Sequence, residues 1–299
     1  MHFYHPRYWP IWVLYGLLRL VSFLPYHIQI YIGRKIGSCA RHIFKKRRKI
    51  AEINLRLCFP EWTEEKRKEI LKQHFESLGI GLVEFGMCWW WSDKKILPLA
   101  HVEGLEHLHN ALRKNKGVIL LAGHFTTLEI ISLVLKPHTD FHPMYRKNNN
   151  EFLDYIIRSG RERHCGKVIP HDDLRSMIKS LRSNVPVLYI PDQNFGRRHS
   201  IFVPFFGIQT ATVPATSRLA AIDNTPVVPI ILQRLPDYKG YRLVIEKALE
   251  NFPTDDPEQD TIRINQLFEK QVRDNPVDYL WVHRRFKTRP EGEGPIYKF

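Results

Sequence analysis

His124 and Glu129, within Gly117–Ile130 (GVILLAGHFTTLEI), are the side chains whose types and spacing best suit proton transfer. Gly117–Ala122 reads as an apolar strand, and Thr126-Thr127 opens a helix with Glu129 in its first turn. In one continuous helix a spacing of five would set the two side chains about 140° apart, so they can meet only across a turn. A histidine at the carboxyl end of a strand, facing a glutamate on the next helix, lies where open α/β sheets bind ligands. A carboxylate on one ring nitrogen fixes the tautomer and leaves the other nitrogen as a base, the logic of acyl transfer. Thr126-Thr127-Leu128-Glu129 also fits the capping box S/T-x-x-E, which would leave Glu129 as a helix cap and His124 as a surface turn residue. Residue types and spacing alone leave both readings open.

Other polar residues follow apolar runs in the same way. Asp192 comes after the buried run Val185–Ile190 and should reach the same rim as His124, although an aspartate after a strand is often only a turn former. Arg146 follows Phe141–Tyr145, and Arg161 and Arg163 lie in Gly160-Arg161-Glu162-Arg163; taken singly, such arginines are usually solvated surface. There is no G-x-S-x-G, no G-x-x-x-x-G-K-[ST] and no H-E-x-x-H, and Gly79-Ile80-Gly81 is not completed to G-x-G-x-x-G. Serine hydrolase, P-loop and zinc-protease chemistry fall away.

The elements that must position these residues form an α/β chain. Besides the runs already named, Val227–Leu232 reads as a buried strand, and Tyr241–Lys247 could pair with it as a hairpin. Strands alternating with helices imply a central mixed, mostly parallel sheet flanked by helices. Upstream, residues 27–57 read as helical, and Thr63 as the N-cap of a helix running through Trp89-Trp90-Trp91, with Glu64 and Glu65 in its first turn. Three adjacent tryptophans cannot share one helix face; they suit a core or a membrane interface equally.

With 299 residues, 43% hydrophobic and 25% charged, the chain can bury a sizeable core and is not a polytopic membrane protein. Lys plus Arg outnumber Asp plus Glu by 45 to 31, a net +14 that favours anionic partners. Cys39, Cys58, Cys88 and Cys165 form no C-x-x-C pair, so neither a zinc ribbon nor a disulfide framework is suggested. Tyr8–Leu24 is an apolar run of 17 residues holding Pro10, Gly16 and Arg19. That falls short of the about 20 residues a span needs, and a central Arg costs about 2.5–3.5 kcal/mol on insertion, so the run either spans marginally or lies in the interface. No cleavage site follows it, and the basic cluster Lys45–Lys49 comes later, which reads as a retained anchor with its basic side on the cytoplasmic face. The expected division is an N-terminal membrane-anchoring helix over 1–26, a catalytic domain over 27–290 and a loose tail over 291–299.

His124-Phe125-Thr126-Thr127-Leu128-Glu129 resembles the H-x4-D/E motif of membrane lipid acyltransferases. The context is similar to the late acyltransferases of lipid A biosynthesis, in His5-Pro6-Arg7-Tyr8-Trp9, Lys45–Lys49, Asn54–Glu61 (NLRLCFPE), Phe202–Phe206 (FVPFF) and His283–Gly292 (HRRFKTRPEG). Those segments cover nearly the whole chain, and the last is most like the lauroyl or palmitoleoyl members. The resemblance implies a Gram-negative inner-membrane enzyme, transferring a fatty acyl chain from acyl carrier protein to a hydroxyacyl chain of the lipid A precursor Kdo2-lipid IVA. His124 would be the base and Glu129 its orienter, with no covalent intermediate, no metal and no cofactor. It further implies Arg161 as an oxyanion or phosphate contact, with Arg146 and Arg163 behind it, and Asp192 as a group that orients an arginine or binds the acceptor sugar. Glycerolipid relatives carry an E-G-T-R type segment where Asp192 stands, which argues against a glycerol phosphate acceptor. The partners expected are acyl carrier protein, the lipid A precursor and an anionic membrane, but no nucleic acid. The rival readings are an acyltransferase for another lysolipid and a non-catalytic basic protein that docks on membrane or nucleic acid.

Overall fold

The computed structural model describes residues 3–299; Met1 and His2, the start of the expected anchor, lie outside the described residues. The amino-terminal part is helical: α1 (Trp9–Val21), α2 (Tyr26–Ile43), α3 (Lys45–Cys58), α4 (Glu64–Trp90) and the single turn α5 (Asp93–Ile96). The helix expected over 27–57 is broken at Phe44, whose φ of −89° and ψ of 59° are not helical. The break lets α3 turn and bury Ile50, Ala51, Asn54, Leu55 and Cys58. Helix α4 begins as expected, with Thr63 Oγ1 accepting from the Lys66 N–H at 3.2 Å and Glu64 and Glu65 at its positive end.

Strands and helices then alternate: β1 (Ala100–Glu103), α6 (Leu105–Leu112), β2 (Ile119–Leu121), α7 (Leu128–Leu135), β3 (His142–Tyr145), α8 (Glu151–Glu162), β4 (Ile169–Pro170), α9 (Leu174–Arg182) and β5 (Val187–Tyr189). After these come the hairpin β6 (Ile201–Phe205) and β7 (Ile208–Thr212), then α10 (Ala215–Ala221), β8 (Val227–Arg234), β9 (Tyr241–Ile245) and α11 (Pro257–Asp274). The main sheet has the order β1-β9-β8-β2-β5-β3-β4, parallel throughout except for the β8/β9 pair, so the mixed, mostly parallel sheet and the β8/β9 hairpin are as expected. The β6/β7 hairpin was not foreseen; it turns at Phe206-Gly207, both at positive φ, a geometry that favours glycine.

Side chains of β2 alternate between two cores, as a strand buried on both faces must. Val118 and Leu120 point with α6 and α7, while Ile119 and Leu121 point with α3, α9, α10 and α11. Helix α4 reaches both cores, through Phe75 on one side and Val83 and Met87 on the other. It packs backbone to backbone on α2 at Gly33, Gly37 and Gly79; a Cβ on Gly37 would lie 1.9 Å from the Phe75 carbonyl oxygen. Trp89 and Trp91 are buried, and Trp91 Nε1 donates to the Ser22 carbonyl at 3.1 Å, so two of the three tryptophans belong to the interior.

Of the two arrangements open to the amino-terminal run, spanning or lying in the interface, the helix that forms is too short for the first. Helix α1 has 13 residues, about 20 Å of helix, and no helix among the described residues is long and apolar enough to cross a membrane. Ser22-Phe23-Leu24-Pro25 ends it, and it packs on α4 through Leu18 and Tyr15. Trp9, Val13, Leu17, Leu20 and Phe23 remain exposed. At the other end the segment 291–299 is docked rather than loose: Tyr297 donates to Asn54 Oδ1 at 2.6 Å and accepts the Phe286 N–H at 3.2 Å.

Arg234, at the end of β8, lies buried between α4, the loop after β2 and the carboxyl-terminal segment. It makes two 2.7 Å bonds to the Glu84 carboxylate and reaches Asp278 Oδ1 at 3.0 Å, Ser77 Oγ at 2.6 Å and Thr126 Oγ1 at 2.9 Å. Removing this guanidinium strands two buried carboxylates. Arg234→Met should therefore cost about 3–5 kcal/mol in urea unfolding, with part regained in Arg234→Met/Glu84→Gln; a loss below about 1 kcal/mol would contradict the assignment.

Candidate active site

His124 and Asp192 come together because β2 and β5 are parallel neighbours. Leu121 pairs with Tyr189 at the ends of the two strands, and each chain runs three residues further before reaching its polar side chain. His124 Nδ1 lies 2.5 Å from Asp192 Oδ1, and the His124 backbone N–H donates to Asp192 Oδ2 at 3.0 Å. Both carboxylate oxygens are thus committed to one residue, which fixes ring and loop together. Burial pushes the Asp192 carboxyl up, but the adjacent His124 ring, the two hydrogen bonds and Arg285 more than offset it, leaving the group below the ordinary carboxylate range. A carboxylate on Nδ1 leaves Nε2 as the ring's free base, and the ring lines a cleft of about 570 Å³.

The His124–Glu129 contact expected from the H-x4-E spacing is absent. Glu129 sits in the first turn of α7 as foreseen, but its carboxylate accepts from Arg161 instead: Nε at 3.0 Å, with Nη2 on the other oxygen. The capping box does not form either: the Thr126 N–H donates to the Asp278 carbonyl, Thr126 Oγ1 bonds Asp278 and Arg234, and Arg161 takes the Glu129 carboxylate. Burial alone would lower the basicity of Arg161, and Glu129 raises it above its usual value, so the pair is held as ions in the cleft wall. The physical reason for the exchange is geometric: an H-x4-E spacing across a turn sends Glu129 toward α8, while the equal overhangs of β2 and β5 deliver Asp192 to the ring.

The structure places the remaining arginines differently from one another. Arg146 and Arg161 line the cleft. Arg163 does not; its Nη1 donates to the Trp89 carbonyl and ties α8 to the end of α4. The apolar part of the lining comes from Leu128 of α7, Pro143 and Met144 of β3, and Leu188 and Ile190 of the β5 segment. Among the described residues no cluster of His, Cys, Asp and Glu is arranged to hold a metal ion, and the four cysteines are free.

The loop bearing His124 is held from behind by the carboxyl-terminal segment, which residue spacing did not reveal. Leu280 N–H donates to the His124 carbonyl at 2.9 Å, Thr126 N–H to the Asp278 carbonyl at 2.7 Å, and Phe125 bridges Tyr279. His283 closes the rim, its Nε2 accepting the Asn194 N–H at 3.2 Å. Burial lowers the His283 pKa to about 4, so its ring is neutral at physiological pH and free to accept.

A strand-end histidine with a buried carboxylate on Nδ1, in a cleft lined by both arginines and apolar side chains, suits acyl transfer to an alcohol. Comparison with known proteins gives this class a name. Residues 1–288 match the model of the bacterial lipid A biosynthesis acyltransferases, and the chain belongs to that family. It is 38% identical over 296 residues to the lipid A biosynthesis palmitoleoyltransferase of Escherichia coli K12, covering 99% of this chain and 96% of that one. It is 39% identical over 289 residues to the lauroyltransferase of the same organism, with 96% and 94% covered. It is 30% identical over 300 residues to the myristoyltransferase, with 99% and 92% covered.

Proposed function

We propose that this acyltransferase moves a fatty acyl chain from an acyl carrier protein thioester to a hydroxyacyl chain of Kdo2-lipid IVA, with His124 as general base and Asp192, rather than Glu129, as its orienter. The observation that carries the mechanism is the Asp192 carboxylate on His124 Nδ1. His124 Nε2 takes the proton of the acceptor hydroxyl as its oxygen attacks the thioester carbonyl carbon. The tetrahedral intermediate then collapses, the C–S bond breaks, and the imidazolium returns the proton to the departing thiolate. No covalent acyl-enzyme, metal or cofactor enters this sequence. Arg161, steadied by Glu129, and Arg146 face the cleft where an oxyanion or the acceptor's phosphates would lie. Leu128, Met144, Leu188 and Ile190 offer the acyl chain an apolar wall.

Greater similarity to the palmitoleoyl- and lauroyltransferases than to the myristoyltransferase supports a lauroyl or palmitoleoyl donor. The exposed apolar residues of α1 and the basic start of α3 support an enzyme lying on the cytoplasmic face of an anionic inner membrane, with α1 in the interface instead of across it. A net charge of +14 suits both an anionic lipid surface and an acidic carrier protein.

Purified enzyme should acylate Kdo2-lipid IVA from carrier-protein thioesters of graded chain length. His124→Ala and Asp192→Asn are each expected to lower kcat by roughly 10²–10⁴-fold, whereas Glu129→Gln should act mainly on KM by freeing Arg161. Equal loss of kcat in Glu129→Gln and none in Asp192→Asn would reverse the assignment; transfer to glycerol-3-phosphate as fast as to the lipid A precursor would overturn the acceptor. In sedimentation with anionic vesicles, Leu17→Glu/Leu20→Glu should release the protein to the supernatant while its unfolding midpoint is unchanged. Unaltered sedimentation would exclude α1 as the membrane contact.

A further inference from the structure

Behind the His124–Asp192 pair lies a small chamber of about 10 Å³, room for one water molecule. His124, Asp192, Gln193, Tyr279, His283 and Arg285 contribute to its lining. Arg285 is buried and two of its nitrogens are used: Nη1 donates to the Ala211 carbonyl at 2.7 Å and Nη2 to Thr212 Oγ1 at 2.8 Å. Its Nε–H is buried with no acceptor among the described residues. Arg285 and Asp192 make no direct ion pair, yet each feels the other's charge.

A neutral base beside a buried carboxylate poses an electrostatic problem. While His124 awaits a proton it carries no charge, and Asp192 is then an anion out of water without a touching cation, which costs several kcal/mol unless another charge balances it. His283 is neutral, and burial together with the Asp192 carboxylate holds Tyr279 as an un-ionised phenol, so neither supplies that charge. Cys58 and Tyr297, the other titratable neighbours of Arg285, are a thiol and a phenol that burial holds protonated. Arg47, near His283, is exposed and donates through Nη1 to the Val282 carbonyl. On the cleft side Arg161 is neutralised by Glu129, and Arg146 is exposed to solvent.

We propose that Arg285 is a positioning residue whose guanidinium balances Asp192 through a single buried water, which accepts from Arg285 Nε–H and donates to the Asp192 carboxylate. The proposal rests on His124 as the base. It gives the carboxyl-terminal His283–Phe286 stretch a task in proton transfer: the dyad keeps its carboxylate ionised while the imidazole is empty. Without the Arg285 charge the dyad takes up a proton at higher pH, whichever of its two members holds it.

The test compares the pH dependence of kcat/KM in the wild type, Arg285→Met, Arg285→Lys and Thr212→Val, beside an NMR titration of the His124 ring that needs no turnover. In Arg285→Met the acidic limb and the ring titration should both move to higher pH, with kcat/KM down about tenfold at neutral pH. Arg285→Lys should return both toward the wild-type position. Thr212→Val, which removes one Arg285 hydrogen bond but no charge, should leave both in place. A fall in kcat with an unmoved limb, or a lysine variant no better than methionine, would overturn the proposal by showing a purely structural role. Should Arg285→Met not fold, the wild-type protein still decides: Arg285 Nε–H should show a cross-relaxation peak to a long-lived water, and its absence overturns the bridge. Activity retained in His124→Ala would sink the base assignment instead, and the ring titration would still report whether Arg285 couples to the dyad.

Discussion

The parallel pairing of β2 with β5 is the constraint on which the site depends. Its register places the ends of the two strands side by side, and equal overhangs of three residues set His124 against Asp192. A slip of one residue in that pairing would turn Val118–Leu121 from one core to the other and part the dyad at once. Fold and site are therefore specified by the same contacts, because the alternating faces of β2 fill both cores while its end carries His124.

A loop at a strand end has few backbone partners of its own, and here the partners are supplied from far along the chain. The segment from Asp278 to His283 bonds the His124 carbonyl and the Thr126 amide, and Arg234 gathers Thr126, Asp278 and Glu84 into one buried network. Asn54 of α3 then holds the Trp281 and His283 carbonyls at 2.7 and 2.8 Å. Helices α3 and α4, strand β8 and the carboxyl-terminal segment thus converge behind one imidazole. Every charge in that region is desolvated, so each must be matched, and the matching ties distant parts of the chain to one geometry.

Much of this was legible in the sequence. The apolar runs located β2, β3, β5, β8 and β9, and the placing of Asp192 after a buried strand put it on the rim with His124. Spacing along the chain favours Glu129 as the partner of His124, whereas the contact is set by strand order, which no local pattern encodes. Glu84 offered an unused signal: a lone acid in the apolar stretch Ile80–Met87 needs a buried cation, and Arg234 ends an equally apolar strand. The β6/β7 hairpin and the docking of Tyr297 on Asn54 were hidden for another reason: both are stabilised by contacts with elements remote in sequence. The apolar content of residues 8–24 fits a span or an interfacial helix alike; Ser22 to Pro25 ends the helix after 13 residues and leaves its apolar face exposed along the protein surface.

The central claim, that Asp192 and not Glu129 holds the His124 ring, is tested most directly by the ring nitrogen shifts of His124. Histidine-labelled wild type at neutral pH should show Nδ1 protonated and Nε2 bare. That pattern should persist in Glu129→Gln and be lost in Asp192→Asn. Loss of the tautomer in Glu129→Gln with retention in Asp192→Asn would contradict the account.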